Sequence, residues 1–281
     1  MTSPRMLLSA HDLRPRKQLG QNFLAQPATA RMIVERARIG PGDRVLEIGP
    51  GLGALTLPLA EAAGSVLAVE KDAGLLPVLR RALTAAGHER VEVREADILG
   101  CDLAAIAREA GGPLTVVGNL PYNISSQVVV QLIEARRDVA RAVLMFQREL
   151  AARLVAAPGG RDYGRITAML SYCASVQRLA VVGASAFYPA PQVDSEVVAI
   201  RFEPDRPYPP HDERHLFRVI AAAFGQRRKT LRNALSSGGL GLAAGAAEEA
   251  LRRADIDPRR RAETLDPAEF VRIEIAVRSL R

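Results

Sequence analysis

Between Val45 and Gln147 the chain alternates five times between short apolar runs and helix-length segments, and this alternation restricts the fold more than any other feature. The apolar runs are Val45–Gly49, Ser65–Glu70, Val91–Arg94, Leu114–Gly118 and Arg141–Gln147. Between them, Leu55–Ala63, Ala73–Ala86, Leu103–Ala110 and Ser126–Ala135 have helical spacing, as in Leu75, Leu76, Leu79 and Leu83. Strands buried on both faces read as continuous apolar runs, so the pattern predicts an α/β fold: a mostly parallel, Rossmann-like sheet covered by helices. Two later runs, Arg178–Val182 and Glu196–Phe202, have no helix-length segment between them and suit an antiparallel pair at one sheet edge. Pro204, Pro207, Pro209 and Pro210 then form a stiff link. Beyond it Phe217, Ile220, Ala221, Phe224, Leu231 and Leu235 keep helical spacing. The expected organisation is a basic N-terminal segment over residues 1–44 capping the cofactor site, a catalytic domain over 45–204 and a small helical domain over 205–281.

In an open sheet of this kind ligands bind at the carboxyl ends of the strands. Gly49-Pro50-Gly51-Leu52-Gly53 follows the first strand, where glycines let the backbone approach a ligand closely. Glu70 ends the second strand and can accept hydrogen bonds from both hydroxyls of a ribose. Asp97, past the third, can hold an adenine amino group. These residues leave both a dinucleotide and a methyl-donor nucleoside open, because the loose dinucleotide fingerprint is also met.

Asn119-Leu120-Pro121-Tyr122, at the exit of the fourth strand, separates the two. An exocyclic adenine amine is a poor nucleophile because its lone pair is delocalised into the ring. The Asn119 side chain and the Leu120 carbonyl can accept its two N–H bonds and favour the pyramidal geometry that attacks a methyl sulfonium. Pro121 stiffens the turn. Tyr122 can stack on the base, and Phe187 can supply a second aromatic face for a base drawn out of a structured nucleic acid. No strong general base is required, since the nitrogen becomes cationic on attack and loses its proton readily; alignment carries the catalysis.

Charge points to the partner. The net charge is +7, with eight basic against three acidic residues over 1–44, 15 against 17 over 45–204, and 15 against 11 over 205–281. A near-neutral body with basic ends suits a polyanion. Arg227, Arg228, Lys229 and Arg232 are expected on about two turns of one helix beside an apolar stripe, in reach of phosphates. Cys101 and Cys173 lie far apart, in no metal-ligand or redox spacing, and the four histidines are scattered, so no metal is expected. With no run of signal-peptide or membrane-spanning length, a cytoplasmic protein is expected.

The motifs also carry a resemblance. Lys17–Leu24, Glu47–Gly53, Asn119–Ser125, Phe187–Ser195, Gln226–Asn233 and Ile256–Pro258 with Arg261–Glu263 are similar, in order and spacing, to the signature blocks of the ribosomal RNA adenine dimethyltransferase family, in its bacterial 16S branch. Gln18, Leu19 and Tyr188 depart from it at variable positions. The resemblance implies S-adenosylmethionine as cofactor, with contacts at Asn22, Leu24, Gly49, Glu70, Asp97 and Asn119. It implies dimethylation of two adjacent adenosines in the 3′-terminal hairpin loop of 16S rRNA, within the 30S subunit or its precursor. A monomer is expected. A 23S rRNA methyltransferase conferring macrolide resistance and a non-catalytic assembly factor are the competing readings.

Overall fold

The computed structural model describes residues 3–203, 209–226 and 228–280. Its strands are β1 (Phe23–Leu24), β2 (Arg44–Ile48), β3 (Ser65–Glu70), β4 (Glu92–Glu95), β5 (Leu114–Asn119), β6 (Val139–Gln147), β7 (Ala174–Val182), β8 (Phe187–Tyr188) and β9 (Ser195–Phe202). Seven form one sheet in the order β4-β3-β2-β5-β6-β9-β7. The pairings β2–β3, β2–β5, β3–β4 and β5–β6 are parallel. β9 runs antiparallel to β6, with Leu144 opposite Val198, and β7 closes the edge beside it. The parallel sheet and its antiparallel margin are those the sequence predicts.

The sheet owes its centre to composition. Val45, Leu46 and Ile48 of β2 and Val116 and Val117 of β5 are all at most 2% exposed, because helices cover both faces. The chain runs outward from β2 through β3 to β4, then returns to lay β5 on the other flank of β2. That reversal splays the loops after β2 and β5 apart at their carboxyl ends and opens a crevice between them.

The N-terminal segment is structured. It holds the helices Pro4–Ala10 and Pro27–Arg36, each with proline in its first turn, where the missing N–H costs nothing. Leu8 and Phe23 pack with Leu52, Leu75 and Val78. β1 pairs with β8, setting Phe23 opposite Tyr188 and Leu24 opposite Phe187.

The chain divides into two compact units, Met1–Ala151 with Val176–Phe202, and Ala152–Ser175 with Glu203–Arg281. Residues 152–175, assigned to the catalytic domain by sequence, therefore pack with the C-terminal helices. Aromatic contacts draw them there: Tyr163 lies 6.1 Å from Phe224 and Tyr172 6.0 Å from Phe217, ring to ring. In this unit the helices are Arg165–Cys173, Glu213–Phe224, Leu231–Ser237, Ala244–Arg253 and Pro267–Arg278. Asp212 caps one by accepting from the Arg214 and His215 N–H groups, and Asp266 and Glu269 form a capping box on the last. Among the described residues no helix is long and apolar enough to cross a membrane.

Candidate active site

The crevice between β2 and β5 is a cleft lined by the glycine loop after β2, the turn after β5, the ends of β3 and β4, and residues 18–24 of the N-terminal segment. Of the residues read from sequence as cofactor-binding or catalytic, Asn22, Leu24, Gly49, Gly51, Glu70, Asp97, Asn119, Leu120, Pro121 and Tyr122 all line it. Phe187 does not.

Gly49 and Gly51 have φ of +67° and +57°, a left-handed conformation that side chains resist. A Cβ on Gly51 would also come within 3.1 Å of the Phe23 ring, so the N-terminal segment seats directly on the loop. Glu70 knits loop to strand: its Oε2 accepts the Gly51 N–H at 3.0 Å and its Oε1 the Asp72 N–H at 2.8 Å. Burial pushes this carboxyl up, while those two N–H groups oppose the rise. Each oxygen keeps a further lone pair, so the carboxylate can still receive two hydroxyls.

Asp72 is a hub that sequence reading missed. Its carboxylate binds the Arg16 guanidinium at 2.9 Å and accepts from Gln21 Nε2 at 2.7 Å, which ties the N-terminal segment to the residue two places beyond Glu70. Asp97 is half-exposed at the rim. Its Oδ1 accepts the Leu99 N–H at 3.1 Å and its Oδ2 meets Lys71 Nζ at 2.6 Å. The Lys71 ammonium holds its carboxyl below the ordinary value.

Across the cleft, Gly118 lets β5 press against β2: a Cβ there would sit 2.6 Å from the Ile48 carbonyl oxygen. That close approach fixes where the next residue emerges. Asn119 donates from Nδ2 to the Asn22 carbonyl at 2.9 Å. The amide is thereby oriented, and its Oδ1 remains an acceptor. The turn is locked by Ser125 Oγ and the Ile124 N–H, which both donate to the Pro121 carbonyl, at 3.0 and 3.2 Å. Tyr122 is half-buried, with its hydroxyl 3.3 Å from Ser195 Oγ on β9. Burial raises its pKa, so the phenol is neutral and its ring is tethered at one end.

Two placements differ from the sequence reading. Phe187 is 5% exposed and packs in the core with Leu24, Val117 and Val197, so Tyr122 and Phe23 are the aromatic side chains on the cleft and Phe187 backs β1. The basic stretch is not helical throughout. The helix Glu213–Phe224 stops before it and a new one begins at Leu231, after Thr230 in extended conformation. Arg228 and Lys229 lie exposed in the intervening turn. Arg232 opens the next helix, paired with Glu248 at 3.0 Å. Arg227 lies outside the described residues. The helical spacing of Phe224 and Leu231 belongs to two separate helices.

Reaction-bearing groups of other kinds are scarce in the cleft. Among the described residues no three His, Cys, Asp or Glu side chains gather as metal ligands. A switch-point sheet with an amide-bearing turn facing a cleft at its carboxyl edge fits a Rossmann-like methyltransferase. Comparison with known proteins narrows the class. Residues 13–278 match the model of the family described as ribosomal RNA adenine dimethylase. The chain is 50% identical over 280 residues to the ribosomal RNA small subunit methyltransferase A of Desulforapulum autotrophicum, covering all of this chain and 98% of that one. It is 45% identical over 269 residues to the protein of the same name from Magnetococcus marinus, covering 96% and 94%. Among solved structures, a dimethyladenosine transferase from Plasmodium falciparum is similar with a TM-score of 0.75 and 25% identity, covering 89% of this chain and 95% of that one. The 23S rRNA methyltransferase ErmE is similar with a TM-score of 0.68 and 27% identity, covering 92% and 100%. The chain belongs to the ribosomal RNA adenine dimethylase family. Its reaction is methyl transfer to adenine in ribosomal RNA.

Proposed function

We propose that the protein dimethylates the exocyclic amines of two adjacent adenosines in the 3′-terminal hairpin loop of 16S rRNA, with S-adenosylmethionine as donor. The observation that carries this reading is the orientation of Asn119. Its Nδ2 is committed to the Asn22 carbonyl, which leaves Oδ1 to accept an amine proton. The relatives at 45–50% identity bear a small-subunit name, and the 23S enzyme is at 27%, which supports the small subunit as substrate.

S-adenosylmethionine fits the residues present. Glu70 retains acceptor capacity for the ribose hydroxyls, Gly49 and Gly51 carry no side chain on the loop, and Asp97 on the cleft rim would accept the adenine amine. When bound, the donor supplies an electrophilic methyl on a cationic sulfur. Asn119 Oδ1 and the Leu120 carbonyl hold the target amine so that its lone pair faces that methyl, and the Tyr122 ring supports the base. The nitrogen then sheds its proton to solvent. After one transfer a single N–H remains, which one acceptor still grips while the new methyl rotates away.

Arg228 and Lys229, exposed and outside any helix, are proposed phosphate contacts. Arg232 is proposed with them, its pairing with Glu248 being exchangeable for phosphate; Arg227 is proposed on sequence grounds alone. The protein is proposed to act as a cytoplasmic monomer on the 30S subunit or its precursor.

The test is transfer of labelled methyl groups to small-subunit precursor and, separately, to naked 23S rRNA. Label is expected in the precursor alone; preferential labelling of 23S rRNA would contradict the reading. Reversing charge at Arg228 and Lys229 together is expected to weaken subunit binding about tenfold or more near physiological salt and to flatten its salt dependence. Unchanged affinity and salt slope, read from filter binding across a salt series, would remove both residues from the interface.

A further inference from the structure

Glu47 has no place in the scheme above, yet it lines the same cleft. It lies in the middle of the parallel sheet, level with Ala68 of β3 and Val117 of β5. Each of those neighbours stands two residues before a site residue, Glu70 on one side and Asn119 on the other. Glu47 therefore sits beneath the floor of the cleft, midway between the proposed ribose acid and the proposed methyl-transfer turn.

Its carboxyl is 1% exposed, and Oε2 has no hydrogen-bond partner. Thr56 lies close enough for its hydroxyl to ease the ionisation of Glu47, yet neither Glu47 Oε2 nor Thr56 Oγ1 has a fully formed hydrogen bond. A buried carboxyl with an unpartnered oxygen beside a ligand cleft is costly unless a ligand completes it. Burial, with the Glu70 charge adding to it and the nearby Thr56 hydroxyl easing it, pushes Glu47 up to about 8. The free protein at neutral pH thus holds a neutral carboxylic acid there.

Among the described residues the cleft wall offers Glu47 no free cation of the protein's own. β3 presents Glu70, and the helix Thr56–Ala62 presents the uncharged Thr56. β5 presents Val117 and then Asn119, neither of which titrates. The N-terminal segment contributes Gln18, Gln21 and Asn22, all uncharged. The basic side chain on the cleft wall, Lys71, is held by Asp97.

Building on S-adenosylmethionine as the donor, we propose that Glu47 is a charge-selective positioning residue, which releases its proton when the sulfonium donor enters and regains one when the neutral thioether product remains. The donor is then held by an ion pair beneath the cleft, and transfer of the methyl, which discharges the sulfur, also dissolves that pair. Two transfers to each adenosine require the product to leave and fresh donor to enter, so such a preference for donor over product serves the reaction directly.

Binding that favours the ionised form strengthens as pH rises toward the free-protein value and levels off above it. From pH 6 to 7, below the usual range of an α-amino group, the Kd for S-adenosylmethionine is expected to fall about ninefold, and that for S-adenosylhomocysteine less than about twofold. Calorimetry at pH 6.5 in buffers of different ionisation enthalpy is expected to show about one proton released per donor bound and far fewer per product bound. Glu47→Gln, which is isosteric with the neutral acid, is expected to abolish the difference. Infrared difference spectra of the unaltered protein with 13C-labelled glutamate give a readout that needs no variant: the protonated carboxyl band is expected to vanish with donor and persist with product. Equal proton release for the two ligands, a band unchanged by donor, or a difference surviving in Glu47→Gln would each overturn the proposal. Failure of S-adenosylmethionine to bind the unaltered protein at any pH would instead overturn the cofactor reading, and this inference with it.

Discussion

Replacing Asn119 with alanine is expected to cut methyl transfer about 10³-fold while leaving affinity for the small subunit within about twofold. The size follows from what the side chain does. An acceptor aligned with a developing charge in a site shielded from water contributes far more than a surface hydrogen bond, and preorganisation is what makes it effective. Here the preorganisation is visible: Nδ2 donates to the Asn22 carbonyl at 2.9 Å, so Oδ1 does not need to reorient when the amine arrives. Alanine removes the acceptor and also leaves the Asn22 carbonyl without its donor. Asn119→Asp keeps an acceptor but sets a carboxylate oxygen against that carbonyl, so it is expected to recover only part of the activity. Single-turnover transfer with saturating donor checks the chemical step, and filter binding checks docking. An alanine variant that retains a tenth or more of the wild-type rate would mean that the turn positions the base by shape alone.

The second large effect is expected at Glu70. Its two oxygens each take a backbone N–H, from Gly51 and Asp72, before any ligand is present. Glu70→Ala therefore removes two charge-assisted acceptors for the ribose and frees two N–H groups in the loop it organises. Hydrogen bonds to a charged group contribute about 1.5–3 kcal/mol each, so donor affinity is expected to fall about 100-fold or more. Glu70→Gln keeps one acceptor and is expected to lose about tenfold. Because Glu70 lies away from the transferred methyl, the loss belongs mainly in KM, with kcat changed much less at saturating donor. Equilibrium titration with S-adenosylmethionine and with its product, alongside steady-state kinetics, separates these outcomes. A kcat reduced as much as kcat/KM would move Glu70 from cofactor binding to the chemical step.

The parts of the molecule legible in sequence are those whose physics is local. β2 and β5 declare themselves because a strand buried on both faces must be apolar along its length. The loop at Gly49 and the turn at Asn119 announce close backbone approach and a fixed carbonyl through residue type. What could not be read depends on partners distant along the chain. β1 and β8 are two residues each, and nothing in Phe23-Leu24 signals a pairing with Phe187-Tyr188; that pairing turns Phe187 inward, away from the cleft. Residues 152–175 join the helical unit through Tyr163 and Tyr172, whose contacts, Phe224 and Phe217, lie 61 and 45 residues further along the chain. The helical spacing runs on past Phe224, while the backbone of Arg228, Lys229 and Thr230 is not helical, so periodicity overstates the helix. Glu47 was visible as an acid in an apolar run, but only the register shows that it lies between Glu70 and Asn119. Asp72 gave no signal beyond its neighbourhood, since its importance rests on Arg16 and Gln21 folding back onto it.

Methyl transfer from S-adenosylmethionine to adenine amines of small-subunit rRNA is the reaction proposed for this cleft. Mass spectrometry of nuclease-digested rRNA, after incubating unmethylated small-subunit precursor with the protein and isotopically labelled donor, tests it most directly. The expected result is labelled N6,N6-dimethyladenosine at two adjacent positions in one fragment from the 3′-terminal hairpin. Label confined to monomethylated adenosine, label on another base, or none at all would contradict it.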